Sequence, residues 1–273
     1  MSGLPLRSNS RIIRMTPPIQ ERKKLEAPGP HLLALEWRAP LEVAATFALW
    51  PLLLSGPRGD GHTVLVFPGL AAPDSSTGLL RSFLRRRGYA PRCWEQGFNL
   101  GPRSGVLEAC LDRVRQLADQ SGRKISLIGW SLGGVYAREL AKMNPELVRC
   151  SISLGTPFTG DPKASNAWRL YECISGKMAD DPEVHARLRE APPVPTTSIY
   201  SRSDGVVNWE CSIQEQGEQT ENIEVIASHT GMAMNPAVLL AIDDRLRQPE
   251  GRWRPFERRG LRRLIYGDGH TSR

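Results

Sequence analysis

The sequence predicts an α/β fold: a mostly parallel sheet of about six or more strands with helices on both faces. Short apolar runs alternate along the chain with stretches of helical periodicity, the pattern of a sheet wound by crossover helices. One of those runs, Lys124–Gly129, has no polar alternation beyond Ser126 and reads as a central strand covered on both sides. With 273 residues, 40% of them apolar, and no internal repeat, the chain has material for one sizeable core and is read as a single domain.

In chain order, His62–Phe67 is the first clear strand, entered from the glycine-rich turn 58–61. Ser75, Ser76 and Thr77 are expected to cap a helix whose apolar positions Leu79, Leu80, Phe83 and Leu84 recur at helical spacing until Gly88 stops it. A short strand near Ala90–Trp94 follows. Next comes a helix from about Gly105 to Gln120, with Leu107, Cys110, Leu111, Val114 and Leu117 on one face. The strand Lys124–Gly129 runs directly into Trp130-Ser131-Leu132-Gly133-Gly134 and a helix ending near Asn144-Pro145. Val148–Leu154, Thr196–Tyr200 and Ile223–Ile226 supply further strands, and residues 236–247 close the domain with an amphipathic helix.

The net charge of +7 suggests an anionic partner until its distribution is read. Residues 1–24 carry six Lys/Arg against one acid, and residues 251–273 carry seven Arg against two acids, so residues 25–250 are left at −3. Basic ends on a near-neutral body argue against a nucleic-acid groove. They divide the chain into a basic N-terminal extension (1–30), a domain (31–250) and a basic C-terminal tail (251–273), the ends being solvated or making weak contact with anionic membrane surfaces. The longest apolar run, Val43–Leu54, is 12 residues, contains Pro51 and falls short of the roughly 20 residues of a membrane span; it is expected as a helix packed on the core. Arg7, Arg11 and Arg14 are not followed by the apolar region and cleavage site of a secretory signal, so a cytoplasmic location is expected. The five cysteines show no paired spacing and are expected as buried free thiols.

Gly129-Trp130-Ser131-Leu132-Gly133 is a G-x-S-x-G segment between a strand and a helix. A serine hydroxyl is a poor nucleophile unless a sharp turn presents it beside a base and near the positive end of a helix. Side chains at the two flanking glycines would collide with the neighbouring strand and helix backbones.

With this motif in this context, residues 60–247 resemble the α/β-hydrolase superfamily, and within it lipases and carboxylesterases. The resemblance implies the chain order nucleophile, acid, histidine. Ser201-Arg202-Ser203-Asp204-Gly205-Val206-Val207 is similar to the family's S-x-x-D-G-x-V segment and makes Asp204 the acid. His229, after the last strand and before the last helix, stands where the family keeps its general base. His31 and His62 precede Ser131, His185 precedes Asp204, and His270 lies in the basic tail. The oxyanion hole implied by the resemblance is made by the backbone N–H of Leu132 and of Leu70, the latter in Phe67-Pro68-Gly69-Leu70, where Pro68 replaces the family's histidine. Gly155-Thr156-Pro157-Phe158-Thr159-Gly160 resembles the G-T-P-H-x-G segment of bacterial lipases, with Phe158 in place of histidine.

These features imply a serine hydrolase cleaving small-molecule or lipid carboxylic esters through an acyl-enzyme, with no metal or organic cofactor. Residues 158–193, with Trp168, Leu170, Tyr171, Ile174 and Met178 among many charges, are expected to form a cap or lid. An acyltransferase or thioesterase would use the same triad, and a non-catalytic binding protein could keep the fold.

Overall fold

The computed structural model describes residues 25–161, 163–175, 182–260 and 262–267, with only the backbone of residues 175 and 182–185. Six strands form one sheet: β1 (Thr63–Phe67), β2 (Ala90–Cys93), β3 (Ile125–Trp130), β4 (Val148–Leu154), β5 (Thr196–Tyr200) and β6 (Thr220–Glu224). Their order is β2-β1-β3-β4-β5-β6 and every neighbouring pair is parallel. The chain passes from β1 out to the edge and crosses back to β3, so the winding direction reverses between β1 and β3. In such sheets a crevice opens there, beyond the carboxyl ends of the strands.

Alternation along each strand feeds two cores. Val64 and Val66 of β1 and Ile128 of β3 face helices α3 (Trp50–Leu53), α4 (Gly78–Arg86) and α9 (Pro236–Leu246). Leu65, Phe67, Ile125 and Leu127 face α5 (Val106–Ser121) and α6 (Leu132–Met143). Covered on both sides, β1 and β5 are buried at every residue, as parallel strands require.

Several expectations differ from what the structure shows. The hydroxyls of Ser76 and Thr77 do not cap α4. They donate back to the carbonyls of Pro73 (2.7 Å) and Asp74 (2.9 Å) and close a 3₁₀ turn over Asp74–Thr77 that precedes the helix. Strand β6 begins at Thr220, because Thr220, Glu221 and Asn222 pair with β5 at the sheet's edge, where one side stays polar and no apolar run marks the strand. The C-terminal stretch, as far as it is described, is docked on the domain by two buried rings, although most of its residues face solvent. Phe256 and Tyr266 are buried edge to face at 4.7 Å, the Tyr266 hydroxyl donates to the carbonyl of Ala237 (2.8 Å), and Arg245, Arg258 and Arg262 lie over the Phe256 ring.

Another concerns the apolar run near the N-terminus. After α1 (Pro30–Ala34) and a 3₁₀ turn at Leu35–Arg38, the chain forms α2 (Ala39–Ala48) and α3. Two of the three buried positions of α2 are polar: beside Ala39, Glu42 and Thr46 are buried, and the Thr46 hydroxyl donates to the carbonyl of Met234. The segment's outward positions are apolar, with Trp37 87%, Leu41 71%, Phe47 59% and Leu52 60% exposed. Packing on the core therefore claims Leu53, with Trp50 and Leu54 against it, and the polar side of α2, while apolar side chains from the 3₁₀ turn, α2 and α3 face outward.

All five cysteines are free, but the expected burial holds only for Cys110 and Cys211: Cys173 is exposed and Cys93 and Cys150 are half-buried. Among the described residues no helix is long and apolar enough to cross a membrane. Within the 158–193 segment, α7 (Trp168–Ser175) and α8 (Pro182–Arg189) are helical, and Met178 lies outside the described residues. Arg187 of α8 pairs with Glu139 of α6 at 2.6 Å, which ties this segment to the helix behind Ser131.

Candidate active site

Ser131 sits between the end of β3 and the start of α6, with φ 54° and ψ −124°. A positive φ is costly for a residue with a Cβ, roughly 1–3 kcal/mol, and persists only where the surroundings impose it. The surroundings here do so. The Ser131 amide donates to the carbonyl of Leu154 (2.8 Å), tying the bend to β4. A Cβ at Gly129 would strike the backbone of Gly133 and Gly134, one at Gly133 the carbonyls of Phe67 and Pro68, and one at Gly134 the side chain of Thr156. Only glycine permits this tight packing of strand, bend and helix, and the bend lifts the Ser131 hydroxyl above the carboxyl edge of the sheet.

Three loops at that edge converge on it. Asp204 follows β5 and is buried; its Oδ1 accepts from the amides of Val206 (2.9 Å) and Val207 (2.8 Å), which fixes the carboxylate's rotation. Its Oδ2 accepts from Nδ1 of His229, in the loop after β6, at 2.7 Å. With that proton on Nδ1, Nε2 is the ring's acceptor, and it lies 2.9 Å from the Ser131 hydroxyl oxygen. Burial alone would push the His229 imidazole down. The Asp204 carboxylate, by charge and hydrogen bond, and then the Glu36 carboxylate outweigh it, so the ring holds a proton more tightly than an ordinary histidine. The structure thus brings together Ser131, Asp204 and His229 in a hydroxyl–imidazole–carboxylate relay able to draw the proton off Ser131.

Leu132 opens α6, and Leu70 lies in the loop after β1. Neither backbone amide donates to another group among the described residues. The Leu70 loop is braced from across the crevice: Asn99 donates from its side chain to the carbonyl of Pro68 (2.7 Å) and from its amide to Ala72 (3.0 Å), and accepts from the amide of Ala71 (2.7 Å). The Gly155-Thr156-Pro157-Phe158 segment follows β4. At Gly155, φ is +53°, and a Cβ would come within 3.0 Å of Asp204 Oδ2 and 3.2 Å of His229 Nδ1, so the relay needs a glycine there. Phe158 is buried beneath the Arg138 guanidinium, 3.7 Å from its ring centre, and is a packing residue.

The sequence singled out the Gly155 segment without its place against the relay, and it did not reveal Asn99 or, above all, two carboxylates near the N-terminus. Glu36 accepts from the amides of Gly205, His229 and Thr230, and Glu42 from the amide of Ser228. One signal was present: Glu42 is the single charged residue between Ala39 and Leu54, and a lone carboxylate in so apolar a stretch needs a partner. Among the described residues no cluster of His, Cys, Asp or Glu side chains is arranged to hold a metal ion.

A parallel sheet with its candidate nucleophile on the bend after β3 and its histidine after the last strand defines an α/β hydrolase. The model of the alpha/beta hydrolase family matches residues 59–272, and the chain belongs to that family. Comparison with curated proteins gives no match. Among solved structures the chain is similar to Aspergillus fumigatus lipase B, with a TM-score of 0.54 and 18% identity over 70% of this chain and 53% of that one, so it spans about half that lipase's length. It is similar to Paleococcus ferrophilus monoacylglycerol lipase (TM-score 0.52, 17% identity, 69% of this chain and 96% of that one). It is also similar to a Bacillus licheniformis lipase in mature form (TM-score 0.53, 13% identity, 71% and 95%). At these identities the likeness is one of fold.

Proposed function

We propose that the protein is a carboxylic ester hydrolase with Ser131 as nucleophile, His229 as general base and acid, and Asp204 as the carboxylate that orients and charge-stabilises the ring. The observation that carries this reading is the pair of contacts on one imidazole, 2.7 Å to Asp204 and 2.9 Å to Ser131. As the Ser131 oxygen bonds to the ester carbonyl carbon, its proton passes to Nε2 of His229, and the carbonyl oxygen, now an oxyanion, is held by the amides of Leu70 and Leu132. The bond to the alkoxy oxygen then breaks and the alcohol leaves with the proton from His229. Water, deprotonated by the same ring, repeats the sequence on the acyl-enzyme and releases the acid. Residues 158–193 serve in this reading as the cover of the acyl site.

A fluorophosphonate probe tests the assignment directly. Wild type is expected to be labelled on Ser131 and to turn over p-nitrophenyl esters, with chain-length preference reporting the acyl pocket. Absence of labelling in folded protein, or labelling that survives Ser131→Ala, overturns it. Acidity supplies a second check. Turnover needs a neutral His229, whose pKa lies above its ordinary value, so kcat/KM should rise with pH and reach half its maximum above about 6.5. A midpoint well below that value contradicts the Asp204–His229 pairing.

The outward apolar side chains favour a lipid surface as the place of action. Trp37, Leu41, Phe47 and Leu52 face outward on a segment preceded by residues 1–24 with a net charge of +5, a combination suited to an anionic bilayer. The full chain should sediment with vesicles containing phosphatidylglycerol more than with phosphatidylcholine alone, less at high salt, and less after joint Trp37→Ser and Phe47→Ser substitution. No sedimentation, or sedimentation indifferent to those two residues, contradicts it.

A further inference from the structure

We infer that Glu36 is a positioning residue for the Ser131–His229–Asp204 relay, a carboxylate from outside the family-matched region that binds the acid-bearing loop to the base-bearing loop. The inference rests on the ester-hydrolase reading above. Glu36 lies in the 3₁₀ turn before α2, and the family match begins only at residue 59. Its Oε1 accepts from the amides of Gly205 and His229, both at 2.8 Å, and its Oε2 from the amide of Thr230 at 2.8 Å. One side chain therefore grips the residue directly after Asp204, His229 itself and the residue after it.

The same segment repeats the grip twice. Glu42 Oε1 accepts from the Ser228 amide at 2.7 Å, so the consecutive amides 228, 229 and 230 all end on carboxylates from this segment. Arg38, paired with Glu42 at 3.0 Å, donates to the carbonyl (2.9 Å) and hydroxyl (2.7 Å) of Ser203, the residue before Asp204. Gly205 is close-packed beneath the segment: a Cβ there would lie 2.8 Å from Leu33 Cα. Loop amides after β5 and β6 have no neighbouring strand to pair with, and these side chains take the place of one. The three amides also hold the Glu36 carboxyl below its ordinary value despite its burial, so it stays charged where the relay works.

The charged groups acting on His229 are Asp204, from its own edge of the sheet, and Glu36, from the N-terminal segment. The Glu36 charge acts on the ring through space whatever else the side chain does. Positioning is therefore read from a loss of kcat at unchanged KM and its partial recovery on restoring the carboxylate, with the midpoint reporting the charge. The test compares wild type, Glu36→Gln and Glu36→Asp in the full chain by fluorophosphonate labelling rate, kcat and KM across pH, and melting midpoint. Glu36→Gln removes the charge and turns one acceptor into a donor. It is expected to lower kcat about 10- to 100-fold with KM little changed, and to move the midpoint of the pH profile down. Glu36→Asp, shorter but charged, should keep the midpoint near that of wild type and recover part of kcat. A Glu36→Gln protein with the kcat and midpoint of wild type overturns the inference while leaving the hydrolase reading intact. Absence of labelling in wild type removes that reading itself. Amide hydrogen exchange in wild type reads the clamp without substitution: Gly205, His229 and Thr230 should be protected together, and free exchange at them also overturns it.

Discussion

Asp204→Asn is expected to lower kcat on the order of 10⁴-fold with little change in melting midpoint, and Ser131→Ala on the order of 10⁶-fold. The geometry dictates how the asparagine sits. Oδ1 of Asp204 accepts from the amides of Val206 and Val207, so the asparagine oxygen keeps that place and its NH₂ takes the place of Oδ2. The opposite rotamer would aim NH₂ at two N–H donors. The NH₂ group then faces Nδ1 of His229, 2.7 Å away in wild type, and Nδ1 must become the acceptor. The ring proton moves to Nε2, which now donates to Ser131 and cannot take its proton. Both amides keep their partner, so the fold loses little. Because the residues act as one unit, the double variant should be no slower than Ser131→Ala. Steady-state turnover of a p-nitrophenyl ester measures this, and an Asp204→Asn protein within tenfold of wild type would remove Asp204 from the relay.

What the sequence made legible follows from how local each signal is. The parallel sheet and the locations of Ser131, Asp204 and His229 could be read because each lies in a short stretch whose pattern is set by its own strand, bend or turn. The Gly129, Gly133 and Gly134 positions record the close approach of one backbone to another, so the packing is written into the residue types. The Glu36 and Glu42 grip was illegible for the opposite reason: it joins residues more than 160 positions apart, and no local pattern distinguishes a carboxylate that meets loop amides from one that meets water. The same limit hid the burial of Phe256 and Tyr266 among arginines. An arginine-rich stretch reads as solvated until the ring under the guanidinium groups is located. The Val43–Leu54 run is helical and packs on the core through Leu53, Trp50 and Leu54. Its apolar content overstated its burial, because the inward side of α2 is held by Glu42, just before the run, and Thr46, which have loop groups to satisfy.

A second large effect is expected in stability, from the buried pair Arg87–Asp243. Arg87 directly follows α4, and its guanidinium uses all five N–H donors: two on the oxygens of Asp243 (3.0 and 2.9 Å) and three on the carbonyls of Leu54, Ser55 and Pro57 (3.0, 2.9 and 2.7 Å). It joins α9 to the connection that leads from the N-terminal segment into β1. Asp243→Ala leaves this cation buried without its counter-charge and with two of its five donors unpartnered, a loss of about 3–5 kcal/mol and a fall in melting midpoint of roughly 10 °C. Arg87→Lys should cost nearly as much, since a compact ammonium with three donors cannot span five acceptors set out for a planar fork. Removing both charges with Arg87→Leu and Asp243→Leu should cost less than the two single losses added together, because no unpaired charge remains, though the three carbonyls lose their donor. Arg87 and residues 54–57 lie where the chain enters β2 and β1, at the opposite edge of the sheet from Ser131, so activity per folded molecule should persist below the lowered midpoint. Thermal unfolding of the three variants, read beside fluorophosphonate labelling at low temperature, separates the two effects: a midpoint unmoved by Asp243→Ala would show that the pair does not hold α9.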